Sequence, residues 1–368
     1  MPRPADQPVQ PVRLGPGRPE PTAAERALVA AAATPGDLTA VAALLDDAGT
    51  GLDLPLTGGG RTREQWELLA TVAAVDLSAA RTVEPHLDAL SILDQAGVPA
   101  PAGLLGVYAS ESGGRTPALR PGEGSELVLD GEKPWCSLAD LCAHAVVTGR
   151  QDDGTRQAVL VDLRHPGVTV SDAAWPALGL APVTTVGLRF EAVPGVAVGG
   201  PEWYLRRPGF AWGGIGVAAV WFGGAVHVAR TLRTSLERRA DAASQGRGPG
   251  PDQAAQAALG RVDRLLHMMA GLLARAAEDV DAGRLDHDLG LVEADRVRGT
   301  VERACTEVLD VVGRATGPGP LAQDAAHARA VADLQVYLRQ HHGDRDDARL
   351  GAALLEADPA VRAGLQPW

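Results

Sequence analysis

The chain has 368 residues, 45% of them hydrophobic, which is enough to bury a large core divided among more than one substructure. Its net charge of -12 argues against a nucleic-acid-binding protein, which normally carries a basic surface. No apolar run approaches the roughly 18 residues of a membrane span, and the N-terminal residues lack the apolar core of a signal peptide. The composition therefore predicts a soluble, cytoplasmic protein that binds neither nucleic acid nor membranes.

The three cysteines, Cys136, Cys142 and Cys305, have neither the spacing of a zinc site nor the even count of a disulfide framework. They are expected to be reduced thiols, with a packing role for Cys136. No metal site is predicted from this pattern.

Residues 1–21 contain seven prolines and few apolar side chains, so this segment is predicted to be disordered or extended. Helical periodicity begins after Pro21 and continues, with a glycine-rich interruption, to about residue 103. The interval 22–103 is therefore interpreted as a helical N-terminal domain.

Residues 104–205 consist of short alternating apolar runs separated by Gly, Pro and Asp, which predicts a small β-domain. Asp130-Gly131 is a two-residue turn signal and predicts a hairpin. Trp135 and Ser137 are two residues apart, so an extended chain would place the indole and the hydroxyl on one face, where they could meet a flat heteroaromatic ring. The alternative is a buried tryptophan beside a serine in a turn.

Helical periodicity returns over 206–355 and predicts a four-helix bundle, followed by a tail at 356–368. Asp252 is the predicted N-cap of one of these helices, and the last of them is expected to run from Leu321 to His342. Gly213 and Gly214 lie inside the first bundle helix at a cost of about 0.5 to 1 kcal/mol each. Either a ligand or another helix should approach there.

The run GEKPWCSLADLCAHAVVTGR at 131–150 resembles the middle β-domain of the acyl-CoA dehydrogenase superfamily, and YASESGG at 108–114 resembles the loop that covers flavin and thioester in that family. The resemblance implies an α+β fold in which a helical N-terminal domain, a central β-domain and a C-terminal four-helix bundle follow one another. It also implies an FAD cofactor, with Trp135 packing on the isoalloxazine and Ser137 bonding near N5. Tyr108 and Ser110 are implied as further cofactor contacts.

The same resemblance implies a substrate, namely an acyl-CoA or a carrier-linked acyl thioester. Gly213 and Gly214 would admit the thioester, Trp212 would shape the cavity, and Arg206 would meet phosphates of the coenzyme. Scattered arginines on a solvated surface remain the alternative for Arg206. The implied partners are an electron-accepting flavoprotein or a reductase, and further copies of the chain in a homodimer, a homotetramer or a heteromer.

The catalytic glutamate of the family has no counterpart here, because its Tyr-Glu-Gly motif is missing. Counting without gaps from Asp333 brings His341 to that place, and in a continuous helix Leu334, Leu338 and His341 would share an inward face. A neutral imidazole can serve as a general base. The alternative is a histidine at a helix end that interacts only with the helix dipole.

Three functions follow from these observations. The first is an FAD-dependent enzyme that oxidises an acyl thioester at Cα–Cβ. The second is a flavin-dependent monooxygenase on the same fold, and the third is a non-catalytic subunit of a heteromeric dehydrogenase. Residues 244–251 replace the motif that contacts the adenine half of FAD in the family, so the isoalloxazine contacts are better kept than the adenine contacts.

Overall fold

A computed structural model describes residues 9–17, 19–46, 51–124, 126–172 and 174–356. Helices come first, a sheet follows, and helices return after it. The N-terminal helices are α1 (Ala23–Ala31), α2 (Thr39–Asp46), α3 (Thr62–Ala73) and α4 (Leu77–Ala96). Local sequence fixes several of their ends. Thr22 and Glu25 form a capping box at α1, Asp76 accepts a hydrogen bond from the Ala79 amide at α4, and Gly97 ends α4 with a φ of 67°.

Two residues of the proline-rich segment are anchored to the N-terminal helices. Residues 9–17 contain neither helix nor strand, but Val12 and Leu14 are buried. Their amides donate to Thr71 Oγ1 at 2.9 Å and to Glu67 Oε1 at 3.1 Å on α3. This part of the segment is therefore extended and packed, whereas residues 1–8 and 18, and most of the predicted tail (357–368), lie outside the described residues.

The sheet closes on itself into a small barrel. Its strands are β1 (Leu105–Tyr108), β2 (Ala118–Pro121), β3 (Glu126–Ser137), β4 (His144–Arg150), β5 (Arg156–Asp162), β6 (Val168–Asp172) and β7 (Thr185–Val198). The hydrogen-bonded order is β1-β4-β2-β3-β7-β5, and a further pairing of β4 with β5 closes the ring. The ring consists of β4, β2, β3, β7 and β5, while β1 and β6 each pair with one strand of it, β4 and β7 respectively.

A buried lysine connects two strands of the barrel that are not neighbours. Lys133 on β3 is 0% exposed, and its Nζ donates to the carbonyl and the hydroxyl of Thr148 on β4, both at 2.8 Å. Burial lowers the pKa of Lys133 to about 8, although Glu111 opposes the shift. The ammonium is thus held inside the β-domain by oxygen acceptors.

The hairpin predicted at Asp130-Gly131 is wrong. β3 runs through both residues and pairs with β7 on either side of them, with a register shift between Leu129 and Gly131. Gly131 has a φ of 119°, and the Asp130 carboxylate accepts a hydrogen bond from the Ala192 amide at 2.9 Å. The extra residue of this β-bulge lies on β7, where Glu191 and Ala192 face Asp130 and Ala192 has a φ of 49°. The positive φ of Gly131 opposite the bulge needs the same backbone freedom as a turn.

The C-terminal helices surround one central helix. They are α5 (Trp203–Arg206), α6 (Gly209–Ser244), α7 (Gln253–Asp281), α8 (His287–Thr316), α9 (Gly319–Gln323), α10 (Ala325–Tyr337) and α11 (Asp344–Glu356). α6 contacts α3, α4, α7, α8 and α10. It is long and apolar enough to span a membrane by length and composition, but 67% of its most apolar window is buried, as in the core helix of a soluble protein.

Two predictions about these helices have different outcomes. The N-cap role of Asp252 is confirmed, because its side chain accepts a hydrogen bond from the Ala255 amide at 2.8 Å. The continuous helix from Leu321 to His342 is wrong. α10 ends at Tyr337, a short 3-10 helix follows over Leu338–Gln340, and His341 is extended with φ -88° and ψ 128°. A tightened last turn of this kind is common at helix ends.

Candidate functional site

Trp135 lies at a second bulge of the β3–β7 pair, this time on β3, where the backbone is strained. Pro134 and Trp135 together face the single residue Gly187 of β7, and Trp135 has a φ of 60°. Its side chain is 55% exposed and meets the Trp175 indole edge to face, with 6.5 Å between the ring centroids. Cys136 is buried, while Trp135 on one side of it is exposed and Ser137 on the other is partly exposed, so a common face for Trp135 and Ser137 remains a prediction. A strained, half-exposed tryptophan costs stability and is typical of a binding site.

Ser137 forms a hydroxyl pair with Thr185 at the end of the same strand. The two Oγ atoms are 3.0 Å apart, and Thr185 donates its proton to the Val183 carbonyl at 3.1 Å. Because each hydroxyl has one proton, Ser137 donates to Thr185 and offers its own oxygen as an acceptor. Tyr108 donates to the Ser137 carbonyl at 3.1 Å. The predicted residues Tyr108 and Ser137 are therefore in direct contact.

The loop after β1 is held by charge. Ser110 is exposed. Glu111 accepts hydrogen bonds from Arg156 at 2.6 and 2.9 Å and from Arg150 at 2.8 Å. The hydrogen bond from Arg156 and the charge of both guanidinium groups lower the pKa of Glu111 to about 2. This carboxylate fastens the loop to β4 and β5 and is not available as a base near neutral pH.

The glycines of α6 serve two different purposes. A Cβ at Gly213 would lie 2.9 Å from Asp88 Oδ1, and one at Gly214 would lie 3.7 Å from the Arg298 side chain, in ordinary contact. A Cβ at Gly223 would instead lie 2.3 Å from the Ala70 carbonyl oxygen of α3. Close helix packing thus explains Gly223, whereas Gly213 and Gly214 face charged side chains.

The structure places the two other predicted substrate contacts away from those glycines. Trp212 packs against Gly58, and its indole donates to the Leu285 carbonyl at 3.0 Å. Arg206 is exposed on the last turn of α5, while its neighbour Arg207 is 4% exposed. The inward-facing arginine is therefore Arg207.

Charged and aromatic side chains from four parts of the fold meet beside Gly213 and Gly214. We call this group the charged wall: Arg81, Glu84 and Asp88 of α4, Arg207 after α5, Arg298 of α8 and Tyr337 of α10. Glu84 Oε2 accepts hydrogen bonds from Arg81 at 3.1 Å and from the Tyr337 hydroxyl at 3.3 Å. Sequence periodicity did not identify this group, because its members are far apart in the chain.

Both carboxyls of the charged wall have perturbed proton affinities. Burial raises the pKa of Glu84, and the Arg81 charge only partly opposes that rise. Burial also raises the pKa of Asp88, against the opposing charge of Arg207, whose Nη2 is 3.7 Å from Asp88 Oδ1. Arg207 is held by Gln95 at 2.9 Å. Raised carboxyl pKa values in an accessible cleft are typical of functional sites.

The charged wall lies next to the β-barrel residues. Burial raises the pKa of Tyr108, and the nearby Arg81 charge opposes that rise. Tyr108 in turn holds the Ser137 carbonyl. Tyr108 therefore stands between Ser137 of the barrel and the Arg81 charge of α4.

His341 is buried against α8 and α11. Its Nδ1 accepts a hydrogen bond from the Gly343 amide at 3.2 Å, which assigns the proton of a neutral ring to Nε2. Nε2 has no hydrogen-bond partner and lies 3.8 Å from Asp346 Oδ2. Gln340, the preceding residue, accepts a hydrogen bond from Arg298 of the charged wall at 3.1 Å. His341 thus lies behind the wall, beside a carboxylate.

The described residues contain no group of three or more His, Cys, Asp or Glu side chains that could hold a metal ion. The three cysteines are buried and unpaired. Burial raises the pKa of Cys136 to about 12 and that of Cys142 to about 11. Neither thiol has thiolate character at neutral pH.

No protein-family model matches the chain, and no curated protein sequence matches it. Solved structures do match. A complex of KijD3 with FMN and dTDP-3-amino-2,3,6-trideoxy-4-keto-3-methyl-D-glucose has a TM-score of 0.73 at 20% identity, over 94% of this chain and 95% of that chain. A nitrososynthase from Micromonospora carbonacea var. africana has a TM-score of 0.67 at 19% identity, over 92% and 98%.

A complex of TdsC from Paenibacillus sp. A11-2 with FMN and indole has a TM-score of 0.67 at 16% identity, over 78% of this chain and 81% of that chain. The chain shares their fold. These proteins are flavin-dependent enzymes of the acyl-CoA dehydrogenase-like fold, so the predicted mixture of helices and sheet is confirmed. Membership of the acyl-CoA dehydrogenase superfamily remains a prediction.

Proposed function

We propose that this chain is a flavin-dependent monooxygenase that binds flavin on the β3 face and oxygenates a substrate in the cleft beside α4. One observation carries the proposal: a strained, half-exposed Trp135 stands two residues from the Ser137–Thr185 hydroxyl pair. An indole supplies a stacking surface for a flat ring, and the Ser137 oxygen supplies an acceptor for a ring N–H.

Each residue has a definite part in this proposal. Trp135 and Trp175 hold the ring system, Ser137 orients it, and Tyr108 fixes the Ser137 carbonyl. When bound, the flavin supplies the two-electron chemistry, with electrons delivered by a partner reductase. Glu84 and Asp88 hold or exchange protons on the substrate side of the cleft.

A monooxygenase fits the position of His341 better than a straight-chain dehydrogenase does. The dehydrogenase reaction needs a carboxylate to remove a proton from Cα, and the predicted place for it is taken by a buried imidazole beside Asp346. Two structural neighbours, KijD3 and TdsC, form complexes with FMN, and TdsC is a dibenzothiophene monooxygenase, which supports the oxygenase.

FMN is the proposed form of the cofactor, in place of the FAD implied by the family resemblance. FMN has no adenine half, and the segment 244–251 lacks the family's adenine-contacting motif. Two structural neighbours form complexes with FMN.

Titration of the purified protein with FMN and with FAD, followed by flavin fluorescence, tests the cofactor. We expect FMN to bind at least as tightly as FAD. Oxygen consumption by the reduced, FMN-loaded protein, supplied with electrons by an added flavin reductase, then tests the reaction class. A protein that binds neither flavin would instead be the non-catalytic subunit.

The second candidate is the acyl-thioester dehydrogenase, which one observation favours. Glu84 and Asp88 are carboxyls with raised pKa values in the same cleft, so either could act as a proton acceptor. Anaerobic bleaching of the flavin by hexanoyl-CoA would establish this reaction. No bleaching, together with oxygen-dependent turnover, would exclude it.

A further inference from the structure

The charged wall is not sealed in the core, because several of its side chains remain partly exposed to solvent. The Asp88 side chain is 22% exposed and that of Glu84 is 12% exposed, although α4 packs against α6 and β1. Gly213, Gly214 and Arg298 are also partly exposed. Polar side chains that remain accessible on the inward face of a packed helix line a cleft that a small molecule can enter.

Two charged side chains of the wall have hydrogen-bonding capacity to spare. The Asp88 carboxylate forms an ion pair with Arg207 at 3.7 Å but accepts no hydrogen bond within the part of the chain that the structure describes. Arg298 donates to the carbonyls of Gly214 at 2.8 Å and Gln340 at 3.1 Å, but forms no ion pair with any described carboxylate. The Asp88 carboxylate can therefore accept further hydrogen bonds, and the Arg298 guanidinium can donate further ones.

A second, independent feature lies against the same wall. The Trp221 side chain is 0% exposed, and its indole nitrogen has no hydrogen-bond partner. The Arg298 guanidinium stands 4.8 Å from its ring centroid, and the Tyr337 ring meets it edge to face at 6.2 Å. A buried donor without a partner is costly, and it leaves an unpaired polar group directly behind Arg298.

A hydrocarbon chain is a poor match for this surface. An alkyl tail would remove water from Glu84, Asp88 and Arg298 without returning a hydrogen bond, and unpaired buried polar groups are expensive. A ligand with a single charge would meet carboxylates and guanidinium groups at once. A hydroxyl group both donates and accepts, so several hydroxyls on one small ring can satisfy both kinds of side chain.

We propose that the charged wall recognises a hydroxyl-rich, sugar-like substrate, with Asp88 and the outer oxygen of Glu84 accepting hydroxyl protons and Arg298 donating to hydroxyl oxygens. The inference rests on the proposed function, because it names the substrate class of that flavin site. The wall consequently excludes the simple straight-chain acyl thioesters that the family resemblance implies.

Saturation-transfer NMR with methyl α-D-glucopyranoside as the probe tests this assignment on the full FMN-loaded chain. We expect transfer to the probe in the wild-type protein and a loss of affinity of about tenfold or more in Asp88→Leu, because a hydrogen bond to a charged group is lost. Asp88→Asn keeps one acceptor oxygen and should retain part of the binding. Asp94→Asn changes an exposed carboxylate on the same helix and should bind like the wild type.

Calorimetric titration with hexanoyl-CoA tests whether the protein binds a straight-chain acyl thioester, which the proposal excludes. We expect no binding to the wild type and a gain in Asp88→Leu, whose circular dichroism spectrum verifies folding. The assignment is overturned if the glucoside shows no transfer, if Asp88→Leu and Asp88→Asn bind it unchanged, or if hexanoyl-CoA binds the wild type as tightly as Asp88→Leu. Flavin titration separates the two proposals. If the protein binds the glucoside but no flavin, only the proposed function is contradicted. If it binds flavin but not the glucoside, only the sugar-like substrate is contradicted.

Discussion

The strained backbone at Trp135 was not foreseeable from residue identity. The run around it indicated an aromatic and a hydroxyl at close quarters, and both do lie at the end of β3. A bulge at Pro134 and Trp135 shapes the backbone there, and strand alternation does not predict it. Bulges depend on how the partner strand β7 aligns, and one strand's sequence does not contain that alignment.

Replacement of Trp135 by alanine is expected to weaken FMN binding by about 1 to 3 kcal/mol, by analogy with the loss of an aromatic surface under a stacked base. Trp135→Phe is the matched variant, since it retains a ring and should lose less. Fluorescence titration with FMN measures both. Equal affinities in the wild type and Trp135→Ala would remove the indole from the cofactor site.

Glu111 provides a prediction about pH. Its folded pKa of about 2 lies below the ordinary value of 4.5. The ionised form is therefore favoured by folding, and its contribution is present above about pH 4.5 and is lost as pH falls through about 2. After a discount for partial solvent exposure, Glu111→Gln should lower the free energy of unfolding by about 1 to 2 kcal/mol at pH 7.

Urea denaturation at pH 7 and pH 2.5 measures this contribution. The difference between the wild type and Glu111→Gln should shrink at the lower pH, because the wild-type carboxyl is becoming protonated. A difference of the same size at both values would mean that packing, and not charge, fastens the loop to Arg150 and Arg156.

At the scale of elements, periodicity located the helices well and their ends less well. The N-cap at Asp252 was predictable because capping depends on residues within one turn. The end of α10 at Tyr337 was not, because the apolar pattern of Leu334 and Leu338 continues past it and both side chains are buried. The buried apolar pattern continues past the end of α10, because tertiary packing also buries Leu338, which lies beyond that end.

The glycines of α6 yield the clearest test of element packing. A Cβ at Gly223 would stand 2.3 Å from the Ala70 carbonyl oxygen, so Gly223→Ala should force α3 and α6 apart and cost about 1 to 3 kcal/mol despite its better helix propensity. Gly260→Ala in α7 meets nothing within 4 Å and should raise stability by up to about 1 kcal/mol.

Thermal unfolding by calorimetry compares these two variants under one set of conditions. The expected result is a lower midpoint for Gly223→Ala and an unchanged or higher midpoint for Gly260→Ala. If both variants rise together, helix propensity dominates at both positions and α6 has room against α3 that the contacts do not indicate.

At the scale of the whole molecule, the fold class was accessible from sequence but the cleft was not. The return of helical periodicity after an alternating stretch predicted helices on both sides of a sheet. Barrel closure and the charged wall depend on contacts between residues as distant as Glu84 and Tyr337. Such groupings appear only after the chain has folded, since no local period relates their members.

Self-association remains a prediction and has a candidate surface. A groove between α6, α8 and α10 is lined by Val228, Leu309 and Val331, and Leu321 beside it is 46% exposed. Exposed apolar surface of this kind favours a second copy of the chain. Sedimentation should show a dimer or tetramer at micromolar concentration, and Leu321→Asp should shift it toward monomer.

Met268→Asp is the control for that experiment, because Met268 on α7 is 45% exposed but does not line the groove. It should leave the oligomer intact. A wild-type protein that sediments only as a monomer would contradict self-association. A Met268→Asp variant that dissociates as much as Leu321→Asp does would mean that the groove is not the specific interface.

Lys133 is the only lysine in the chain, and its amine is enclosed in the barrel. An amine-reactive reagent can therefore modify only one lysine side chain, and it can reach that side chain only when β3 and β4 separate. Burial lowers the pKa of Lys133 to about 8 only while the barrel is closed; once released, the amine returns toward its ordinary pKa of 10.5, so labelling is best followed in alkaline buffer. The rate at which Lys133 becomes labelled, measured by mass spectrometry, should follow the rate at which the barrel opens. Lys133 is therefore a built-in probe of unfolding in the β-domain.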